Sequence, residues 1–592
     1  MKEIFNPPFK YIDFIKAKKI KQSYSDIGGL KKIKIAIFQG STVDELKNIL
    51  ELFLLNEGFQ PVFYISDYNR FYEEAHFPGK KLIEFSPDIV YVYVNNKNIM
   101  SYPDISDNNN IISKKVDEEI NKYQSIWKVV NENLSCNLIQ NNFENPFFRF
   151  LGSFDSLSPN GVINYINRIN SELAKKIMSD KNVYLNDINY LSAKIGLDNW
   201  FDSALWYGYK YAVSYNAIPY IAHNITKIVM SIYGGSKKLL ITDLDDTLWG
   251  GAIGDTGVEN ILVGSDSPES EAYYDMQAYL KYLKSSGILL AVSSKNEEQI
   301  AQDGINAKKS PLNLKDFSSF KANWKSKDIN VKNIVKELNL SQDHTVFVDD
   351  NPVERGIVNL NLTNISVPEI DDVSSFTSTI ASYNYFERKS ITNEDIHRVK
   401  YYKDEIQRKK TSSLFNNYSD YLNSLEMVVK YSAINQNNAN RVVQLINKTN
   451  QFNPTTKRYT SAEIEKIISD DKYITLTATL SDKYGDNGLV SVVILKLTEK
   501  KANIDLWVMS CRVFQRDLEF AVFDSLHEEL NKINIDEIFA QYMPTDKNIP
   551  VKDIFKKMDF SLIEENQGMT SWKMKILSKY QKKNLSIRID SS

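Results

Sequence analysis

The segment Leu239-Leu-Ile-Thr-Asp243-Leu-Asp245-Asp246-Thr247-Leu-Trp249-Gly250-Gly251 closes an apolar run on two carboxylates two residues apart. Strand ends of this kind are where open α/β sheets bind ligands. A turn beginning at Asp243 can bring both acids toward one phosphate, and the Thr247 hydroxyl with the loop N–H groups can fix that turn. Downstream, Ile288-Leu-Leu-Ala-Val-Ser293-Ser294 ends a second run in hydroxyls suited to donate to phosphate oxygens. Lys327, in Asn323-Trp-Lys-Ser-Lys327, adds a cation where anionic charge gathers. Thr345-Val-Phe-Val-Asp349-Asp350-Asn351 ends a third run in two acids able to complete an oxygen shell for Mg²⁺. One acidic turn alone reads as a cap; four such sites in order point to phosphate chemistry. Asp246 reads as a turn residue, and Trp249 with Gly250-Gly251 as the start of a flap or, equally, a core position for the indole.

These residues need rigid elements behind them. Strands are expected at 239–243, 288–293 and 345–349, with helices at 271–284 and 332–338 between them, a doubly wound pattern. Upstream, 33–38 and 86–94 read as strands, with helices at 43–55 and 112–131, which argues a parallel α/β domain ending near residue 230. The turn-rich stretch 231–238 separates the two series. Residues 392–410 read as a helical bridge. Beyond it, strands at 474–480, 489–497 and 503–509 with helices at 438–448, 518–532 and 551–557 suggest an α+β domain.

The 592 residues carry 72 Lys+Arg against 75 Asp+Glu, net charge −3, with 42% hydrophobic and 25% charged residues, which excludes disorder and collagen-like repeats. Length predicts about three or four domains. The longest basic block, Lys16-Ala-Lys-Lys19, makes no case for nucleic acid. No stretch approaches ~20 apolar residues and the first residues lack signal-peptide order, so no membrane partner and a cytoplasmic location are expected. Cys136 and Cys511 stand far apart, and the five histidines never pair at three- to five-residue spacing, which argues against disulfides and a local zinc site.

The four strand-end sites resemble the motifs of the haloacid dehalogenase (HAD) superfamily, in which an Asp forms an aspartyl-phosphate. The resemblance implies Asp243 as nucleophile and metal ligand, and Asp245 as acid/base that lends its backbone carbonyl to Mg²⁺. It implies Ser294 and Lys327, with Thr247, as phosphate-binding residues, and Asp349 and Asp350 as metal anchors. About 50 residues between Asp243 and Ser294, and about 33 from there to Lys327, leave no room for a large cap.

Wider motifs resemble FkbH-like proteins over nearly the whole chain: Asp243 to Gly251, Ser294-Lys-Asn296, Asn323-Trp324, Phe347 to Arg355, Gln444 to Asn453, Asp482-Lys-Tyr-Gly-Asp-Asn-Gly488 and Met509-Ser-Cys-Arg512. That resemblance implies an α/β multidomain fold. Residues 1–230 would form an SGNH-like (flavodoxin-like) domain, 236–385 a HAD-like Rossmannoid domain with minimal cap, and 395–580 a GNAT-like α+β domain. Members in polyketide pathways take 1,3-bisphosphoglycerate, remove phosphate and load a glyceryl unit onto an acyl carrier protein; others belong to surface-polysaccharide clusters.

Three departures bear on function. A cysteine is expected before the Ser-Lys-Asn of glyceryl-loading members, and Ser293 stands there, so no thioester can form. The acyl-CoA phosphate loop of GNAT proteins becomes Arg512-Val-Phe-Gln515-Arg516-Asp517, which disfavours pyrophosphate, although Asn548 still resembles a later GNAT motif. Gly40-Ser41-Thr42 replaces a Gly-Asp-Ser block, and neither His223 nor His76 sits in an Asp-x-x-His motif. Ser293, Cys511 and Asn548 are therefore candidates for an acyl or acceptor site, with Cys511 read as a buried small hydrophobe rather than a nucleophile. The expected function is Mg²⁺-dependent phosphohydrolysis or phosphotransfer on a small phosphorylated metabolite, coupled to acyl transfer to a separate acyl carrier protein or from acyl-CoA. Two alternatives are a non-catalytic carrier-protein-binding module and a GNAT-type acyltransferase with a regulatory HAD domain.

Overall fold

The computed structural model of the chain describes residues 2–17, 29–306, 310–412, 414–514, 516–577 and 580–590. Two compact units result: Met1–Ile232 with Glu387–Ser390 and Thr460–Glu463, and Tyr233–Phe386 with Ile391–Tyr459 and Ile464–Ser592.

The first unit holds five strands, β1 (Lys31–Gln39), β2 (Phe59–Ile65), β3 (Ile89–Tyr93), β4 (Asn137–Asn141) and β5 (Val183–Asn186), in the order β2-β1-β3-β4-β5. All pairs are parallel. The helices Asn109–Leu134 and Val162–Ser179 bury apolar stripes against Val90, Val92 and Leu138. Pro61 interrupts the β2 pattern, which hid that strand from periodicity; it is tolerated because β2 is an edge.

In the second unit, β6 (Leu239–Thr242), β7 (Leu289–Ser294), β8 (Phe317–Ala322) and β9 (Thr345–Val348) form a parallel sheet in the order β8-β7-β6-β9. Alternation sends Leu240, Leu290, Val292, Val346 and Val348 to the helix Pro268–Ser285, through Tyr273, Met276 and Leu280. Leu239, Ile241, Leu289 and Phe347 face Val331 and Ile334 of the helix Lys327–Glu337. Burial on both faces explains the unbroken apolar runs, each fully buried Leu, Ile or Val contributing about 1.5–3 kcal/mol. The edge strand β8, Phe-Ser-Ser-Phe-Lys-Ala, has too few apolar residues to announce itself.

The same unit carries an eight-stranded mixed sheet made of β10 (Val428–Ser432), β11 (Tyr473–Asp482), β12 (Gly485–Thr498), β13 (Lys501–Met509), β14 (Glu537–Tyr542), β15 (Ser561–Asn566), β16 (Met569–Lys575) and β17 (Arg588–Asp590). Its order is β15-β16-β14-β13-β12-β11-β10-β17. The helix Leu518–Lys532 fills its core with Leu518, Val522, Phe523 and Leu526. The expected helix at 551–557 is shorter, a 3₁₀ turn Ile549–Val551 and one helical turn Ile554–Lys557. No described helix is long and apolar enough to cross a membrane.

Candidate phosphate and metal site

Strands β6 and β9 run parallel, and the Asp243 amide donates to Val348 O at 2.9 Å, extending their pairing by one residue. Asp243 and Asp349 thus leave neighbouring strand ends side by side. Lys327, the first residue of its helix and 1% exposed, lies between them. Its Nζ is 2.6 Å from Asp243 Oδ2 and 3.1 Å from Asp349 Oδ2, and it donates to Ser293 O at 2.8 Å. Burial lowers the Lys327 ammonium, but the two carboxylates outweigh it and hold it above its ordinary range. Burial, with repulsion from Asp243, pushes Asp349 up to about 7.

Asp245 turns away from this lysine. Its Oδ1 accepts from Trp249 Nε1 at 2.9 Å and from the Ile253 amide at 3.2 Å, and its Oδ2 from Asn296 Nδ2 at 2.9 Å. Burial still raises its carboxyl, with nearby Asp243 adding to the effect, because the three donors only partly offset the desolvation. Trp249 is fully buried, and the following residues start a flap through the Gly250–Leu262 bridge, so the indole is core and positioning group together. Gly250 is required: a Cβ there would lie 2.8 Å from the Tyr273 ring. Asp246 is the turn residue, at φ +52°, its Oδ1 accepting from the Gly251 amide at 2.7 Å.

Thr247, expected among the phosphate-binding residues, commits its hydroxyl to the acid loop instead. It donates to Asp350 Oδ1 at 2.8 Å and accepts from the Asp350 amide at 3.1 Å. Arg355 Nη1 reaches the carbonyls of Asp349, Asp350 and Ile370 at 3.0, 2.6 and 2.9 Å, clamping the loop from below. The carboxylate oxygens of Asp243, Asp349 and Asp350 lie within 4.8 Å of one another. Asp243 Oδ1 is buried with no hydrogen-bond partner among the described residues. Hard oxygen donors with one oxygen left unpaired fit a divalent cation such as Mg²⁺. Ser294 closes the set: its Oγ is 3.1 Å from Asn296 Nδ2.

No hydrogen bond joins Ser293, Cys511 and Asn548 among the described residues. Ser293 is fully buried at the end of β7, its Oγ unpaired among the described residues. Cys511 is partly exposed rather than buried, because it opens the 3₁₀ turn Cys511–Val513; its carbonyl accepts from Asn339 Nδ2 at 3.0 Å. Asn339 precedes β9, so Cys511 lies toward the end of that sheet opposite Asp349. Asn548 is fully buried and bonded all round, accepting from Tyr542 and the Thr545 amide and donating to Asn453 O and Met543 O. It is a loop clasp.

Gln515, at the first replaced glycine, falls outside the described residues; Arg516 stands between it and Asp517, at the second. Its guanidinium turns inward to Glu405 and to Asp482 Oδ2, the latter at 3.2 Å, and Asp482 also holds Arg408 through two 2.9 Å bonds. The charge of Arg516, just before the helix Leu518–Lys532, is thereby paired within the protein. In the first unit, Ser41 Oγ accepts from Asn95 Nδ2 at 3.2 Å, while His223 packs on the rings of Phe9 and Phe53. Residue reasoning missed Asn296, Arg355 and the indole donor, although all three lie inside the quoted motifs.

Residues 34–230 match the family model described as FkbH, N-terminal domain. No curated protein matches the chain. Among solved structures, the N-terminal part of the protein BF1531 from Bacteroides fragilis, containing a phosphatase domain complexed with Mg, is 26% identical with a TM-score of 0.59, over 64% of this chain and 100% of its own. The ribosomal-protein-S18-alanine N-acetyltransferase of Escherichia coli is 10% identical over 26% of this chain and 98% of its own, with a TM-score of 0.21. A GNAT-family acetyltransferase of Streptococcus pneumoniae is 15% identical over 25% of this chain and 99% of its own, also at 0.21.

Proposed function

We propose that this FkbH-like chain is a HAD-type, Mg²⁺-dependent phosphohydrolase or phosphotransferase that acts on a small phosphorylated metabolite through a phosphoryl group carried on Asp243. The observation that carries the reading is the convergence of Asp243, Asp349 and Asp350 on one point, with Lys327 beside them and one Asp243 oxygen unpaired.

Asp243, Asp349 and Asp350, with the Asp245 carbonyl, would hold the cation, which supplies neutralisation of phosphoryl oxygens when bound. Lys327 and Ser294 orient the phosphoryl group by charge and hydrogen bond. An Asp243 oxygen attacks phosphorus as the bond to the leaving oxygen breaks, and Asp245 gives that oxygen its proton. Asp245, now a carboxylate, takes a proton from water or another acceptor, whose oxygen attacks the phosphorus and frees Asp243. The raised Asp245 suits the first half of this cycle, and its three donors keep the carboxylate form accessible for the second. The burial of Ser293 supports ending the reading at phosphoryl transfer, without an acyl step on that residue. The Arg516 pairing weighs against acyl-CoA at the helix head.

The test is phosphate release from a panel including 1,3-bisphosphoglycerate and sugar phosphates, with and without Mg²⁺ and a separate acyl carrier protein. Release that needs Mg²⁺ and is lost in Asp243→Asn supports the reading. Release unchanged in Asp243→Asn, or silence across the panel, refutes it in favour of a binding module.

A further inference from the structure

The first unit holds a cavity of about 530 Å³, within the range of about 300–1,000 Å³ typical of small-molecule sites. It lies beyond the C-terminal ends of β3 and β4: Asn96 and Lys97 follow the one strand, Glu144 and Asn145 the other. This is the edge at which parallel α/β sheets receive ligands, and none of its lining belongs to the aspartate site.

Its walls are aromatic and within reach of solvent. Phe147, Phe148, Phe150 and Tyr207 are each exposed by half or more, Phe150 at 68% and Tyr207 at 76%, and Phe201 and Trp206 are partly exposed beside them. Large apolar side chains gathered around a concavity mark a ligand site, because each ring left in water forgoes its burial.

The charge that a guest can reach there is positive. Lys97 is the exposed charged residue of the lining, and its Nζ lies 5.9 Å from the Phe201 ring centre and 5.8 Å from that of Trp206. Lys210, also exposed, brings a second ammonium to the same indole, at 5.4 Å. Neither forms an ion pair with a carboxylate among the described residues. A ring face attracts a cation without cancelling its charge, so an anion placed at Trp206 meets two uncompensated ammonium groups.

The acids of the lining do not offset them at the surface. Asp155 is fully buried, and its Oδ2 accepts from the Ile163 amide at 3.0 Å, in the first turn of the helix Val162–Ser179, where the positive helix end meets its charge. Glu144 is also buried and accepts from the Asn96 amide at 3.3 Å. Burial pushes its carboxyl up to about 7, which leaves it only partly charged near neutrality.

We propose that this cavity is a binding site for an amphipathic carboxylate, its aromatic or branched apolar body lying against Phe147, Phe150 and Tyr207 and its carboxylate pairing with Lys97 beside Trp206, where Lys210 adds its charge. The flexible lysine stem lets the ammonium keep the indole face and meet the carboxylate together.

The test titrates the full chain with carboxylates whose bodies run from isobutyl to phenylethyl and naphthylmethyl, each beside the primary amide and the amine of the same body, by calorimetry and ligand-observed NMR. The expected result is saturable binding of at least one carboxylate, about tenfold or more tighter than its amide and its amine. That margin narrows as salt is raised, because Lys97 is exposed. Lys97→Met removes the margin without moving the melting temperature of the free protein, Lys97→Arg retains it, and Phe150→Ala or Tyr207→Ala weakens carboxylate, amide and amine alike. A margin that survives Lys97→Met and Lys210→Met combined would overturn the proposal, as would equal binding of all three head groups, which reduces the site to apolar surface. Binding of no carboxylate overturns it in favour of a face for a protein partner.

Discussion

The indole N–H of Trp249 donates to Oδ1 of Asp245 at 2.9 Å, so a fully buried core residue fixes the acid that the proposed chemistry needs. Asn296 holds the other oxygen at 2.9 Å. Burial raises Asp245 and both donors pull it down, so removing either one raises it further. Trp249→Phe and Asn296→Ala should each lower turnover about 10–100-fold. Loss of the protonated form, which is the working acid, should move to higher pH. A pH profile of turnover checks this; a uniform loss with an unmoved limb would make both residues merely structural.

Asp349 links the site to pH through its metal-free state. Its carboxyl is raised to about 7, so the stability it contributes is full below the ordinary carboxylate range and is lost as pH rises through about 7. A cation binds the carboxylate form. Mg²⁺ should therefore release protons on binding just below pH 7, and should raise the melting temperature more about a unit above pH 7 than a unit below it. Differential scanning at the two values with and without Mg²⁺ measures this.

Lys327 separates the partly buried Asp243, at 2.6 Å, from the fully buried Asp349, at 3.1 Å. Lys327→Met should cost about 10²–10³-fold in turnover by removing a preorganised donor to the phosphoryl group. It should also destabilise the metal-free protein at neutral pH, with recovery on acidification as the carboxyls take up protons. Chemical denaturation across pH checks the second half independently of activity.

Asp482 is fully buried and holds Arg408 at 2.9 Å and Arg516 at 3.2 Å. Asp482→Asn leaves two guanidinium groups short of charge and should cost about 3–5 kcal/mol, read from urea unfolding. The Asp482 to Gly488 motif then reads as structural, tying β11 and β12 to the bridging helix Arg398–Ser412 and to the head of the helix Leu518–Lys532.

The aspartate site was legible because each of its strands is buried on both faces, so Leu239–Thr242 and Thr345–Val348 are apolar without a break and their ends stand out. Two edge strands, β2 and β8, were not: Pro61 and the serines of Phe317-Ser-Ser-Phe mask them. Thr247 and Asn548 share one feature that a motif does not show. A polar residue in a motif announces that its hydrogen bonds matter, but not whether they run to a ligand or, as here, to Asp350 and to Tyr542, Asn453 and Met543. Arg355, whose guanidinium collects three carbonyls 2.6–3.0 Å away, has no pattern in periodicity at all.

The most direct test of the account is the mass of the Asp243 peptide. Asp245→Asn protein should accumulate the phosphorylated carboxyl because its second half-reaction is slowed, so substrate and Mg²⁺ followed by acid quench should add one phosphoryl group to the peptide containing Asp243, and none in Asp243→Asn. A phosphoryl group found elsewhere, or phosphate released by a wild-type protein that never carries one, would contradict it.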